Sequence, residues 1–134
     1  MFARLIAARK DEEGLTLIEL LVVIIIIRIL AAIAIPVFLN QRASAAKAAL
    51  TSDARNGAVQ IETYFTENQA YPANLAAVQA LKPSVSTNNG VLGYTTTGTA
   101  FTYCVEATDG AAKGWSVTYD SSKGGTQPPA QKAC

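Results

Sequence analysis

Polar and apolar positions divide this chain into two regimes. From Leu15 to Leu39 only Thr16, Glu19, Arg28 and Pro36 interrupt an apolar run, whereas Asn40 to Cys134 has the mixed polarity of a soluble module. As a helix, at about 1.5 Å per residue, the run reaches roughly 37 Å and spans a hydrocarbon core of about 30 Å. Ile24 to Ile27 and Ile29 are β-branched. In lipid, however, a helix is the open-ended single-chain structure that satisfies its own backbone. Pro36 removes one helical hydrogen bond and predicts a kink.

Beyond Pro36, apolar residues recur at Ala46, Ala49, Leu50, Ala54, Ala58, Ile61 and Phe65, with Asp53 as the exception on that face. Steps of three and four mark one side of a helix. One nearly continuous helix is expected from about Leu15 to about Glu67, greasy all round in its first half and amphipathic in its second, with Gly57 weakening the middle. Pro72 ends it by disfavouring helical geometry at Tyr71. Asn74 then caps a short helix through Leu81, closed by Pro83. Alternation and β-branched or aromatic content predict strands in "VLGYTTT", in Thr99 to Thr108 and in "WSVTYD". The expected fold is α+β: a long helix whose amphipathic half backs a small three-stranded antiparallel sheet, burying Leu50, Ile61 and Phe65. The last segment, "SSKGGTQPPAQKAC", reads as coil that would fray without a staple.

Composition narrows the chemistry. The 134 residues carry a net charge of +1 and no histidine. There is no broad basic footprint for nucleic acid, so DNA binding is not indicated. The commonest general base and transition-metal ligand is missing, and no Ser/His/Asp set, phosphate loop or metal cluster is visible. An enzyme is not expected, nor a cofactor. Cys104 and Cys134 are too few for a four-ligand zinc site, but they allow one disulfide connectivity, which an extracytoplasmic location would favour. Unpaired buried thiols are the plainer alternative. Met1 to Gly14 sets Arg4, Arg9 and Lys10 against Asp11, Glu12 and Glu13, directly ahead of the apolar run. "AAIA" at 31–34 mimics a secretory cleavage site, yet apolar residues continue through Leu39, and the sharp polarity step is at Gly14.

The stretch "GLTLIELLVVIIIIRILAAIAIPVFLNQR" at 14–42 closely resembles the amino-terminal signature of type IV pilins and the pseudopilins of type II secretion. These share a polar leader, a glycine, a hydrophobic residue, a glutamate five residues past the glycine, and a helix carrying a proline. The resemblance implies a leader at 1–14, a transmembrane and filament-core helix at 15–39 and an extracellular head at 40–134. It implies that a prepilin peptidase cuts between Gly14 and Leu15 and methylates the new amine of Leu15, and that Glu19 neutralises the amino terminus of a neighbouring subunit. Physics agrees about Glu19: a carboxylate in hydrocarbon costs several kcal/mol unless a partner arrives. The implied partners are identical subunits in a helical homopolymer, the peptidase, an assembly platform with its ATPase, and the cytoplasmic membrane before extraction to the cell surface.

The chain departs from the family pattern at Leu15, where phenylalanine is usual, at the acidic Glu12 and Glu13, and at Arg28, where glycine is usual. Nine residues at about 100° each put Glu19 and Arg28 on opposite faces and about 13.5 Å apart axially, so they cannot meet within one chain. Arg28 is expected either to reach Glu19 of an adjacent subunit or to impair assembly.

The primary expectation is therefore the structural subunit of a type IV pilus, with a type II secretion or competence pseudopilin as the alternative within the class. A monomeric single-pass membrane protein with a ligand-binding head is the alternative outside it. Plainer readings stand beside several residues: Glu19 as a tolerated interfacial polar group, Pro36 as a simple kink rather than a flexible point. Asp109 is read as a turn residue rather than a calcium ligand. Tyr103, Trp115 and Tyr119 are read as packing rather than a stacking platform, and Lys113, Lys123 and Lys132 as a solvated face.

Overall fold

The computed structural model describes residues 16–134. The chain divides into two compact units, with the division between Phe38 and Leu39. Helix α1 spans Leu17–Asn68 and carries Pro36 within it. At its start Thr16 and Glu19 form a reciprocal cap. The Thr16 backbone N–H and hydroxyl each donate to Glu19 Oε2 at 2.8 Å, and the Glu19 N–H donates to Thr16 Oγ1 at 3.3 Å. A threonine followed three residues later by glutamate satisfies two otherwise orphaned helix donors. Every large apolar side chain from Leu17 to Leu39 is exposed within the single chain, from Leu21 at 41% to Leu17 at 82%. This helix is long and apolar enough to cross a membrane.

In the second unit α1 buries Leu50, Asp53, Ala54, Gly57, Ala58 and Ile61. Their spacing of three and four is the predicted face, but Phe65 is only half-buried, not enclosed as expected. It lies at the margin of the core, where its ring stacks on Tyr71 with centroids 4.5 Å apart. Helix α2, Leu75–Ala80, begins at Asn74, whose side chain accepts the Ala77 N–H at 2.9 Å.

The sheet has four antiparallel strands in the order β1-β2-β3-β4, one more than expected: β1 Asn89–Thr97, β2 Ala100–Ala107, β3 Ser116–Asp120 and β4 Gly125–Thr126. The extra strand belongs to the segment expected to be coil. It pairs Tyr119 with Thr126 and Asp120 with Gly125. Farther on, Ser116 and Ala130 exchange backbone hydrogen bonds of 2.8 and 2.9 Å, and Gln127 N–H donates to Thr118 O at 2.8 Å. Glycine and proline content hid this pairing: Gly124 and Gly125 take positive φ (82° and 102°), a turn geometry that lets a two-residue strand follow directly.

Strand β1 is bulged between Val91 and Gly93, so that Val91 and Tyr94 both face the core while Leu92 points out, 47% exposed. Core residues from both layers, including Leu50, Ala54, Ile61, Phe101, Tyr103, Val105 and Val117, form one buried cluster. Gln79 of α2 donates its amide to Val91 O of β1, an edge strand, at 3.0 Å.

Candidate assembly site

Two regions can carry function, one in each compact unit. In the apolar helix, the carboxylate of Glu19 is held by Thr16. Glu19 therefore has a partner within its own chain, supplied by the capping box. Its engagement is one-sided: both donors reach Oε2, and Oε1 has no partner among the described residues. A carboxylate has about four acceptor positions, so Thr16 aims the group and leaves an oxygen open. Arg28 is exposed and makes no ion pair with any described residue. The cleavage positions Gly14 and Leu15 lie outside the described residues.

In the head, Cys104 and Cys134 are joined as a disulfide across 30 residues, with their Cα atoms 5.8 Å apart. The bridge sits on the outer face of the sheet beside Gly93. A Cβ at that position would lie 2.9 Å from the Cβ of Cys104 and 3.3 Å from that of Cys134, so glycine makes the room. Cys134 N–H also donates to Glu106 Oε2 at 3.1 Å. Together with β4 and the Ser116–Ala130 bridge, these contacts lay residues 125–134 along the sheet.

Asp53, buried on α1, ties the loop before β1 to the helix. Its carboxylate accepts from Ser86 N–H at 2.8 Å, Ser86 Oγ at 3.1 Å and Asn89 Nδ2 at 2.6 Å. Nearby, Tyr103 is fully buried. Burial pushes its phenol above the ordinary value, and the negative charge of Asp53 adds to the shift. Tyr71, Phe101 and Tyr119 continue the ring contacts begun by Phe65, with centroid spacings of 5.1 and 5.6 Å. Tyr94 donates its hydroxyl to Pro72 O at 3.0 Å, anchoring the turn after α1. Trp115 is half-buried beneath Lys47, whose Nζ lies 3.3 Å from the ring centroid. Each of these aromatics packs within the head. Asp109 accepts the Gly110 N–H at 2.7 Å and starts a short 3-10 turn.

Asp120 follows the same logic at the other end of the sheet. Ser122 donates its hydroxyl at 2.6 Å and its N–H at 3.0 Å, and Lys123 Nζ approaches at 3.3 Å. The serine hydroxyl foremost, then its backbone N–H and the lysine, hold the carboxyl below its usual range despite partial desolvation. The local signal for this cap is the run Asp120-Ser-Ser.

Residue types and geometry thus describe an apolar helix with a fixed acid near its start, and a head built for rigidity. Comparison with known proteins agrees. The profile of the prokaryotic N-terminal methylation motif matches residues 9–35. Type IV wide pilus major component PilA4 of Thermus thermophilus is 35% identical over 106 residues, covering 79% of this chain and 80% of that protein. Type II secretion system core protein G of Pseudomonas aeruginosa is 33% identical over 73 residues, covering 54% of this chain and 51% of that protein. The same component of Klebsiella michiganensis is 34% identical over 79 residues, with 58% and 56% covered. The match thus spans about half the length of these two secretion-system relatives. The chain belongs to the family of type IV pilins and type II secretion pseudopilins.

Proposed function

We propose that this chain is the structural subunit of a type IV pilus, made as a prepilin, cut between Gly14 and Leu15, methylated on Leu15 and polymerised into a helical surface filament. Its role is structural rather than catalytic. The observation that carries the reading is the exposure of every large apolar residue from Leu17 to Leu39 in the isolated chain. At about 25 cal/mol per Å², such a surface must be covered by lipid or by copies of itself. Lipid covers it while the subunit waits in the cytoplasmic membrane, and neighbouring stems cover it in the filament.

Glu19 supplies register. Leu15 precedes it by four residues in the sequence, a spacing that a helix covers in about 6 Å. A neighbour advanced by that distance brings its amine to the open Oε1, and a misplaced neighbour leaves the carboxylate without it. The reward for correct stagger is large because an ion pair in a low-dielectric core is strongly penalised when one member is missing. An ATPase and platform of the assembly machinery supply the work of extraction.

The pilus reading is preferred because the relative matched over four-fifths of its own length is named as a major pilus component. A pseudopilin role is the second reading, supported by the two secretion-system relatives. Electron microscopy of sheared surface material, with peptide identification and mass spectrometry of the amino terminus, separates the cases. Long fibres composed mainly of chains starting at methylated Leu15 are expected. An intact Met1, or a cut beyond Leu30, would point instead to a monomeric membrane protein. Glu19→Gln is expected to leave processing intact and to make filaments scarce or disordered.

A further inference from the structure

Arg28 sits at the middle of the stem. It lies eleven residues from Leu17 and eleven from Leu39, and Glu19 is the other charged side chain in that span. Either end is therefore about 16 Å away along the helix, farther than an arginine side chain reaches, so snorkelling to the interface gives incomplete relief. A guanidinium has no neutral form at accessible pH. It stays charged in the least favourable place the molecule provides, and its own Glu19 lies about 13.5 Å below it on the opposite face.

We infer that Arg28 is the permanent counter-ion of Glu19 on a second copy of this chain, displaced by about 13.5 Å along a parallel stem. The inference rests on the self-assembly reading above and extends it. Charge complementarity fixes the occupant: a parallel copy carries the one acidic side chain of the stem, and a shift of nine residues brings it level with Arg28. The direction of the shift matters. The neighbour that offers its amine to a given Glu19 is advanced, whereas the neighbour that offers Arg28 is set back, so one carboxylate joins two different copies. Its acceptor positions suffice, because Thr16 donates to Oε2 and Oε1 has no partner among the described residues.

Arg28 thereby makes lipid a poorer home for the stem and the polymer a better one. The usual cost of desolvating an ion is met once on membrane insertion and recovered when a neighbour arrives.

The test is electron cryo-microscopy of filaments of the unmodified chain. The expected result is an Arg28 guanidinium within about 4 Å of a Glu19 carboxylate of a neighbour advanced by about nine residues. Filaments in which Arg28 faces solvent, or in which the nearest Glu19 of any neighbour is beyond about 8 Å, overturn the pairing and leave the pilin reading intact. Failure of the chain to self-assemble at all overturns both. An independent check uses Val23→Cys with Ala31→Cys, one turn past the pair on each stem. Oxidation of filaments should give a ladder of linked subunits, and adding Arg28→Leu should weaken that ladder severalfold. An unlinked filament, or a ladder indifferent to Arg28→Leu, counts against the pairing.

Discussion

The ring of Tyr103 fills the space that a side chain on Gly57 would occupy. A Cβ at position 57 would collide with Cε1, Cζ and Oη of that ring. Glycine in mid-helix costs about 1 kcal/mol relative to alanine, so Gly57 is a sacrifice of helix propensity for close packing. Tyr103 is fully buried and cannot swing aside. Gly57→Ala is therefore expected to destabilise the head by about 1 to 3 kcal/mol, despite the better helix former. Thermal unfolding of the two proteins decides the sign, and a rise in Tm would refute the account.

Asp53 offers a second check. Asp53→Ala removes the acceptor for Ser86 N–H, Ser86 Oγ and Asn89 Nδ2. Charge-assisted bonds of this kind contribute about 1.5 to 3 kcal/mol. The loss should appear in chemical denaturation and as faster amide exchange at Ser86, while exchange near Val117 follows only the global change.

Alkaline pH should weaken the head. Burial raises the phenols of Tyr71, Tyr94 and Tyr103 above their ordinary value of 10.0. Below pH 10 both folded and unfolded chains keep these protons, so stability is unaffected. Above it the unfolded chain releases them first and binds fewer protons than the folded one, so stability falls as pH rises. Each fully protected phenol adds a slope of at most about 1.4 kcal/mol per pH unit. Tyr103→Phe should reduce that slope. At neutral pH it should cost less than about 1 kcal/mol, since the Tyr103 hydroxyl has no hydrogen-bond partner among the described residues. Denaturation curves between pH 8 and about 11.5 measure both effects, and an unchanged slope would count against the assignment.

Reduction of the Cys104–Cys134 bridge frees a loop of 30 residues. Chain entropy predicts a loss of roughly 2 to 4 kcal/mol. Because β4 and the Ser116–Ala130 contacts are backbone-bonded independently of the bridge, the reduced head should remain folded but melt at lower temperature. Circular dichroism with and without reductant distinguishes this from wholesale unfolding.

Much of the architecture was legible before any coordinates. The apolar run, the three-and-four spacing of Leu50, Ala54, Ala58 and Ile61, and the capping Asn74 all follow from local periodicity and local chemistry, which a sequence displays directly. Phe65 was misjudged because periodicity says which side of a helix faces inward but not where the partner sheet stops. The fourth strand escaped notice because two residues carry no periodic signal, and its pairing with Tyr119 and Asp120 is set by the turn before it. Gly57 looked like a defect because the ring that explains it comes from 46 residues later in the chain. Asp53 stood out as an acid on an apolar face, a sign of a buried acceptor whose donors the sequence does not identify. Thr16 was readable in principle, since Thr-x-x-Glu is the spacing of a capping box.

The amide of Gln79 occupies one backbone acceptor, Val91 O, of the strand at one margin of the sheet, and the strand at the opposite margin is only two residues long. Unblocked margins invite strand-to-strand zippering between molecules. Both features work against strand-to-strand pairing between heads. Under the proposed assembly, intermolecular order is left to the greasy rods, whose two opposite charges set the spacing of copies.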